Sequence, residues 1–206
     1  METRETKDIT HVFFDIGGVL GTNAWDREQR GHAVERFALD PEFESRHQEV
    51  VGEFESGRLT LHDYLESVIF YCPRSFTREE ILAFMFSQSE PFPESLDIAR
   101  ELSRRPGLRL MTLNNESAEL NLHRIAAFGL RDIFSAFLSS CWLGVRKPQP
   151  VIFERALAIA QVKPERVVFV DDREQNLAPA RAQGMQTILF TSADALRESL
   201  RGLGLL

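Results

Sequence analysis

The sequence predicts an α/β fold, a mostly parallel sheet with helices on both faces. Three observations predict it. Short apolar runs of strand length alternate with segments of helical spacing, and most of those runs sit beside Gly, Pro, Asn or Asp. The chain of 206 residues, 43% apolar and 27% charged, is long enough to bury one such core. No internal repeat or low-complexity tract competes with that reading.

The strands expected are His11–Phe14, Leu108–Leu113, Ile133–Leu138, Val167–Val170 and Thr187–Phe190. Between them, Glu94–Arg104 has helical spacing and stops before Pro106-Gly107. Ser117–Phe128 carries apolar Leu122, Ile125 and Ala126, and Gly129 can end it with positive φ. After Pro148, the residues Ile152, Ala156, Leu157 and Ala160 keep helical spacing. Asn176–Gln183 reads as a last helix before Gly184.

The alternation is interrupted between the first two strands. Thr22–Phe92 contains no convincing strand. Phe43, Val50, Val51 and Phe54 form a helical stripe. Thr60-Leu61-His62-Asp63 resembles an N-terminal cap before Tyr64–Tyr71, and Thr77-Arg78-Glu79-Glu80 is a capping box before Ile81, Phe84 and Met85. The expected division is a core of residues 1–21 and 93–206 with a helical insertion, 22–92. Ligands of open α/β sheets bind at the carboxyl ends of the strands, so an insertion there is placed to act as a lid.

Composition excludes several classes. Lys and Arg total 24 against 31 Asp and Glu, a net charge of −7, and no basic block marks a nucleic-acid face. The longest uncharged stretch, Ile133–Val145, is 13 residues, too short for a membrane span. Glu2, Arg4, Glu5, Lys7 and Asp8 leave no apolar signal region at the N-terminus. Cys72 and Cys141 are expected as reduced thiols, and the protein as soluble and cytoplasmic. Its oligomeric state is not readable.

Chemistry-bearing residues gather at the expected strand ends. Asp15 follows the first strand, and Gly17-Gly18 permits a tight turn and close approach to a ligand. Asn114-Asn115 follows the second; such amides donate to anions, or serve in turns and caps. Lys147 is one of only three lysines against twenty-one arginines. A compact ammonium balances clustered carboxylates and phosphate without a planar fork, though lysines are usually solvated. Asp171-Asp172 follows a buried strand, where adjacent acids repel unless a divalent cation or lysine relieves them. Asn176 stands where it can reach back to that pair. Singly, each has a plainer explanation as a cap, turn or surface residue. Together they converge on one pocket.

The ordered set resembles the haloacid dehalogenase-like hydrolase superfamily. Four signatures carry the likeness: His11-Val12-Phe13-Phe14-Asp15-Ile16-Gly17-Gly18-Val19-Leu20; Leu110-Met111-Thr112-Leu113-Asn114-Asn115; Gly144-Val145-Arg146-Lys147-Pro148-Gln149-Pro150; and Val168-Phe169-Val170-Asp171-Asp172-Arg173-Glu174-Gln175-Asn176, which continues as Ala180-Arg181-Ala182-Gln183-Gly184-Met185. The likeness covers nearly the whole chain. It is greatest to the branch holding the phosphatase domain of soluble epoxide hydrolases and the sugar-1-phosphate phosphatases. It implies a Rossmann-like core with a small all-helical cap, and a Mg²⁺-dependent phosphatase of a small phosphorylated metabolite.

By that resemblance Asp15 is the nucleophile that forms an aspartyl phosphate. Asp15, the Gly17 carbonyl and Asp172 hold Mg²⁺, with Asp171 in support and Asn176 behind it. Asn114 and Asn115 bind phosphate oxygens together with the Gly17-Gly18 turn, and Lys147 neutralises phosphate and orients Asp15. The chain departs from the family at two places. Gly17 stands where the phosphatases usually carry a leaving-group acid, and Asn114 stands for Ser or Thr. A missing acid leaves two alternatives to a phosphatase, a dehalogenase-type hydrolase that needs no leaving-group proton, or a non-catalytic phosphometabolite-binding protein.

Overall fold

The structure, a computed structural model, describes residues 8–206; Met1–Lys7, including Glu2, Arg4, Glu5 and Lys7 of the polar N-terminus, lie outside it. Five strands form one parallel sheet in the order β3-β2-β1-β4-β5. They are β1 (His11–Phe14), β2 (Arg109–Thr112), β3 (Ala136–Phe137), β4 (Val167–Asp171) and β5 (Gln186–Leu189). The core helices are α5 (Pro93–Ser103), α6 (Ala118–Ala127), α7 (Ser140–Leu143), α8 (Pro150–Ala160), α9 (Glu174–Ala182) and α10 (Ala193–Gly202). No described helix is long and apolar enough to cross a membrane, and Cys72 and Cys141 are free thiols.

The strands are apolar on both sides because both faces are covered. Val12, Phe14, Leu110, Val168 and Val170 pack with residues of α5, α6 and α10. Phe13, Met111 and Phe169 face the other way, onto Ile152, Phe153 and Ala156 of α8 and Leu177 and Ala180 of α9. Side chains alternate along a strand, so four consecutive apolar residues supply two cores at once. Phe14 pairs with Thr112 on one side and Val170 on the other, which sets Asp15 level with Leu113 and Asp171.

Expected boundaries shift by a residue or so at β2, β5 and α9, while β1 runs as expected. The larger correction is Ile133–Leu138, where only Ala136–Phe137 forms a strand. Ile133 and Phe134 are apolar because they plug the core from a loop after a single 3-10 turn, Leu130–Asp132. Backbone bonds from Ser135 to Leu110 and from Leu138 to Thr112 extend the edge pairing at both ends.

Between β1 and β2 the chain is helical, as expected: α1 (Arg27–Phe37), α2 (Phe43–Glu55), α3 (Leu61–Val68) and α4 (Arg78–Ser87). Thr60 caps α3, and Thr77 with Glu80 forms the capping box of α4. These helices enclose their own cluster, including Phe43, Phe54, Tyr64, Leu65, Ile81 and Met85, which Leu120 of α6 joins from below. The two chain crossings are tied side by side. Thr22 N donates to Glu90 O, Glu90 N to Thr22 Oγ1, and Phe92 N to Leu20 O.

Candidate active site

The sheet order reverses at β1, so a crevice opens at its carboxyl end between elements that run to opposite sides. Asp15 leaves β1 there, and Asp171-Asp172 leaves the adjacent β4. The Asp15 carboxylate accepts from Ile16 N at 2.8 Å and meets Lys147 Nζ at 2.9 Å. Lys147 Nζ also lies 2.6 Å from Asp171 Oδ2. Arg173 N (2.8 Å) and Asn176 Nδ2 (3.0 Å) donate to Asp171 Oδ1. Asn176 therefore reaches back to Asp171, one residue earlier than its nearer neighbour in sequence, Asp172.

Charge and burial compete here. Burial pulls the Lys147 ammonium down, but Asp15 and Asp171 outweigh it and hold it above its ordinary value. Burial pushes the Asp15 carboxyl up to about 7, Lys147 opposes, and Asp171 and Asp172 add to the rise. Burial and then Asp171 also raise Asp172, against Arg173 and Lys147. One lysine thus faces three acids.

Those acids fit a hard cation. Asp15, Asp171 and Asp172 each offer an oxygen, all within 4.8 Å of one another. Asp172 Oδ1 is buried and has no hydrogen-bond partner. Oxygen donors, net negative charge and an unsatisfied carboxylate match the needs of Mg²⁺.

Gly18 makes this approach possible. Its φ is +72°, and a Cβ there would collide with the Asp172 carboxylate. Gly18→Ala is expected to destabilise the fold by about 1–3 kcal/mol and to displace Asp172. Thermal melts with and without Mg²⁺ check this, and a shift of melting temperature by Mg²⁺ as large as the wild type's would contradict the displacement. At Gly17 a Cβ would lie 2.8 Å from Asn23 Oδ1 and 3.7 Å from Arg124 Nη1, so a side chain there must move Asn23.

Asn115 and Lys147 clasp each other. Asn115 Nδ2 donates to Lys147 O at 2.9 Å, and Lys147 N to Asn115 Oδ1 at 2.8 Å. Asn114 is placed differently. Its Nδ2 donates to Asn121 Oδ1 at 3.0 Å, Asn121 Nδ2 to Ser139 Oγ at 2.8 Å, and Ser139 Oγ to Asn114 Oδ1 at 2.9 Å. This buried triangle ties β2 to α6 and the segment after β3. The Asn114 side chain is spent in it and does not line the cavity, whereas Asn115 does.

The cavity is about 270 Å³. Asp15, Gly17, Asn115, Lys147 and Asn176 line it from the core, and Asn23, Trp25, Arg30, His47 and Phe54 from the insertion. Sequence reasoning missed Glu116, Arg124, Arg30 and His47. Glu116 and Arg124 line the cavity as a buried ion pair at 3.5 Å. Burial pushes the Glu116 carboxyl up to about 7 despite Arg124. The available signal was helical spacing: Arg124 shares the inward face of α6 with Leu120 and Asn121. Likewise His47 lies on the stripe that carries Phe43 and Phe54.

Comparison with known proteins agrees with this geometry. The sequence profile of the haloacid dehalogenase-like hydrolases matches residues 9–184. The chain is 28% identical to bifunctional epoxide hydrolase 2 of Sus scrofa over 205 residues, covering 90% of this chain and 37% of that protein. This chain therefore spans little more than a third of that relative's length. It is 29% identical to the glyceraldehyde 3-phosphate phosphatase of Methanopyrus kandleri, covering 87% of this chain and 83% of the relative. Among solved structures, a HAD family enzyme of Bacteroides thetaiotaomicron in complex with magnesium and inorganic phosphate superposes with a TM-score of 0.76 at 22% identity, covering 89% of this chain and 94% of that one. With its sheet, its strand-end acids and a profile match over most of its length, the chain belongs to the haloacid dehalogenase-like hydrolase family.

Proposed function

We propose that this protein is a Mg²⁺-dependent phosphomonoesterase that hydrolyses a small phosphorylated metabolite through an aspartyl-phosphate intermediate. The observation that carries the reading is the meeting of Asp15, Lys147 and the Asp171-Asp172 pair at the ends of two adjacent strands. Asp15 attacks phosphorus, the ester P–O bond breaks, and its electron pair leaves on the alcohol oxygen. That oxygen takes a proton from water. The resulting hydroxide opens the acyl phosphate, releasing phosphate and restoring the carboxylate. Lys147 neutralises the phosphoryl group and orients Asp15, while Asp171, fixed by Asn176 and the Arg173 amide, holds Lys147 in place. Asp15, Asp172 and the Gly17 carbonyl are the residues that would hold Mg²⁺, with Asp171 nearby. The ion supplies charge neutralisation and polarises the phosphoryl oxygens.

Asn115 and the Gly17-Gly18 turn face the phosphate. Asn114 acts behind them by fixing the end of β2, a positioning role in place of the direct contact expected from the sequence. Residues 22–92 form the cap over the cavity, and, of the described residues, 8–21 with 93–206 form the catalytic core. Phosphatases among the relatives support the substrate class. The glyceraldehyde 3-phosphate phosphatase is matched over most of its length, which the epoxide hydrolases are not.

Gly17 offers no carboxyl at the position where the family's phosphatases usually carry the leaving-group acid. Esters with acidic leaving groups need a proton least, so kcat/KM is expected to fall from acyl and aryl phosphates and sugar 1-phosphates to simple alkyl phosphates. General acid help is worth about 10²–10⁴-fold, which sets the scale of that fall. The same ester series run with chelator tests the function itself. Chelation is expected to abolish phosphatase activity, and phosphate-ester turnover that survives full metal removal would contradict the Mg²⁺-dependent reading, whereas a dehalogenase would hydrolyse a haloacid with or without metal. Gly17→Asp should flatten the leaving-group dependence if Asn23 yields. A flat dependence in the wild type would mean that another group supplies the proton.

A further inference from the structure

Three polar side chains form a chain through the apolar interior of the cap. Trp25 Nε1–H donates to Tyr64 Oη at 2.8 Å, and Tyr64 Oη lies 2.8 Å from His47 Nδ1. All three are buried, and the Tyr64 ring stacks on Phe54 at 4.1 Å between ring centres. The direction of the chain follows from its members. Trp25 can only donate, so it uses a lone pair of Tyr64. Tyr64 has one hydroxyl hydrogen and no solvent. If His47 Nδ1 also donated, that hydrogen would be left without an acceptor, at a cost of about 1–3 kcal/mol. Tyr64 therefore donates to His47 Nδ1, and the ring hydrogen sits on Nε2.

His47 is also uncharged. Burial, and then the Arg30 charge, push it down to about 4, against Glu44 and Asp26. Arg30 beside it is already used, donating to both Glu44 oxygens at 2.8 and 2.9 Å and to Trp25 O at 2.7 Å. His47, a residue of the cavity wall, thus carries a neutral Nε2–H of fixed tautomer. An apolar core needs no such chain for stability, because well-packed hydrophobic residues serve as well. The chain ends on the one member whose free ring nitrogen belongs to a residue lining the cavity that holds Asp15.

We propose that His47 is a specificity-determining residue, whose Nε2–H donates to a neutral oxygen, hydroxyl or carbonyl, on the leaving group of the phosphate ester. The protein then prefers oxygen-bearing phosphate esters to hydrocarbon ones. Trp25 and Tyr64 are positioning residues that fix the ring and its tautomer. This proposal rests on the phosphatase reading above, from which it takes the substrate's place in the cavity.

The test compares glycerol 1-phosphate with propyl phosphate, alkyl esters that differ in hydroxyl groups, using the full chain with Mg²⁺. The wild type is expected to favour the glycerol ester. His47→Leu should lower kcat/KM for that ester about 10-fold, mainly through KM, and leave the propyl ester nearly unchanged. His47→Gln, whose amide N–H reaches a similar point, should recover part of the preference. Tyr64→Phe removes one oxygen from the cap core and should reduce the preference as well; it carries the test if His47→Leu folds poorly. Ring ¹⁵N chemical shifts read the tautomer with no substrate present, and they should report hydrogen on Nε2 in the wild type only. Hydrogen on Nδ1 in the wild type, or an equal loss on both esters in His47→Leu, would overturn the proposal while leaving the phosphatase reading intact. A wild type that hydrolyses no phosphate ester with Mg²⁺ would remove both.

Discussion

Asp15→Asn is expected to abolish turnover, by roughly 10⁴-fold or more, the scale on which enzymes lose activity when their nucleophile is removed. The carboxamide keeps the shape of the side chain and loses the charge that attacks phosphorus. The fold should survive, because Lys147 retains Asp171 at 2.6 Å when its contact with Asp15 is lost. The variant should even melt at or above the wild-type temperature when free of metal. One of three mutually repelling carboxyls, of which Asp15 and Asp171 are buried and Asp172 half-buried, becomes neutral, and the lysine then faces two. Steady-state hydrolysis of an aryl phosphate, with a thermal melt of the same samples, checks both halves. Near-wild-type hydrolysis would remove Asp15 from the nucleophile's place.

Asp172→Ala is expected to weaken Mg²⁺ binding at least 10-fold and to remove most of the rise in melting temperature that Mg²⁺ gives the wild type. Asp172 Oδ1 accepts no hydrogen bond and has only a long ion contact to Arg173 Nε, at 3.9 Å, so it gives up little to meet a cation. Protons compete for the same oxygens. Asp15 and Asp172 both hold protons to a higher pH than ordinary carboxyls, Asp15 up to about 7. Mg²⁺ affinity should therefore rise as pH increases from about 5 to 7 and level off above. Calorimetric titration of metal-free protein at several pH values measures this. Equal affinity in Asp172→Ala, or affinity that falls as pH increases over that range, would contradict the site.

The strand ends were legible because an acid directly after four apolar residues is costly to bury without a partner. That logic located Asp15 and the Asp171-Asp172 pair. It did not separate the two neighbours. Side chains alternate, and Asp171 shares the parity of Phe169, whose ring lies 5.3 Å from Lys147 Nζ. Counting from Phe169 identifies Asp171 as the acid that meets the lysine. β3 was overestimated because Ile133 and Phe134 are equally apolar in a core-plugging loop and in a strand. The inner wall of the cavity was hidden for a different reason. Which face of α2 meets the sheet depends on how the insertion docks, and helical spacing gives only the stripe. A polar residue on an apolar stripe, as with His47 in α2 and Arg124 in α6, is the sign that was available.

The tie between the two crossings, Thr22 to Glu90, also bears on how the sheet forms. β1 and β2 are neighbours in space, yet about 95 residues of chain separate Phe14 from Arg109, and closing a loop of that length costs about 4 kcal/mol of chain entropy. A helical insertion that has already condensed and clasped its own ends shortens the free chain to roughly 27 residues, which lowers that cost by about 1 kcal/mol. Strands too distant to find each other quickly become near neighbours through the clasp. A variant that loosens it, such as Thr22→Val, should slow refolding more than it speeds unfolding, which places the insertion early in the order of folding events.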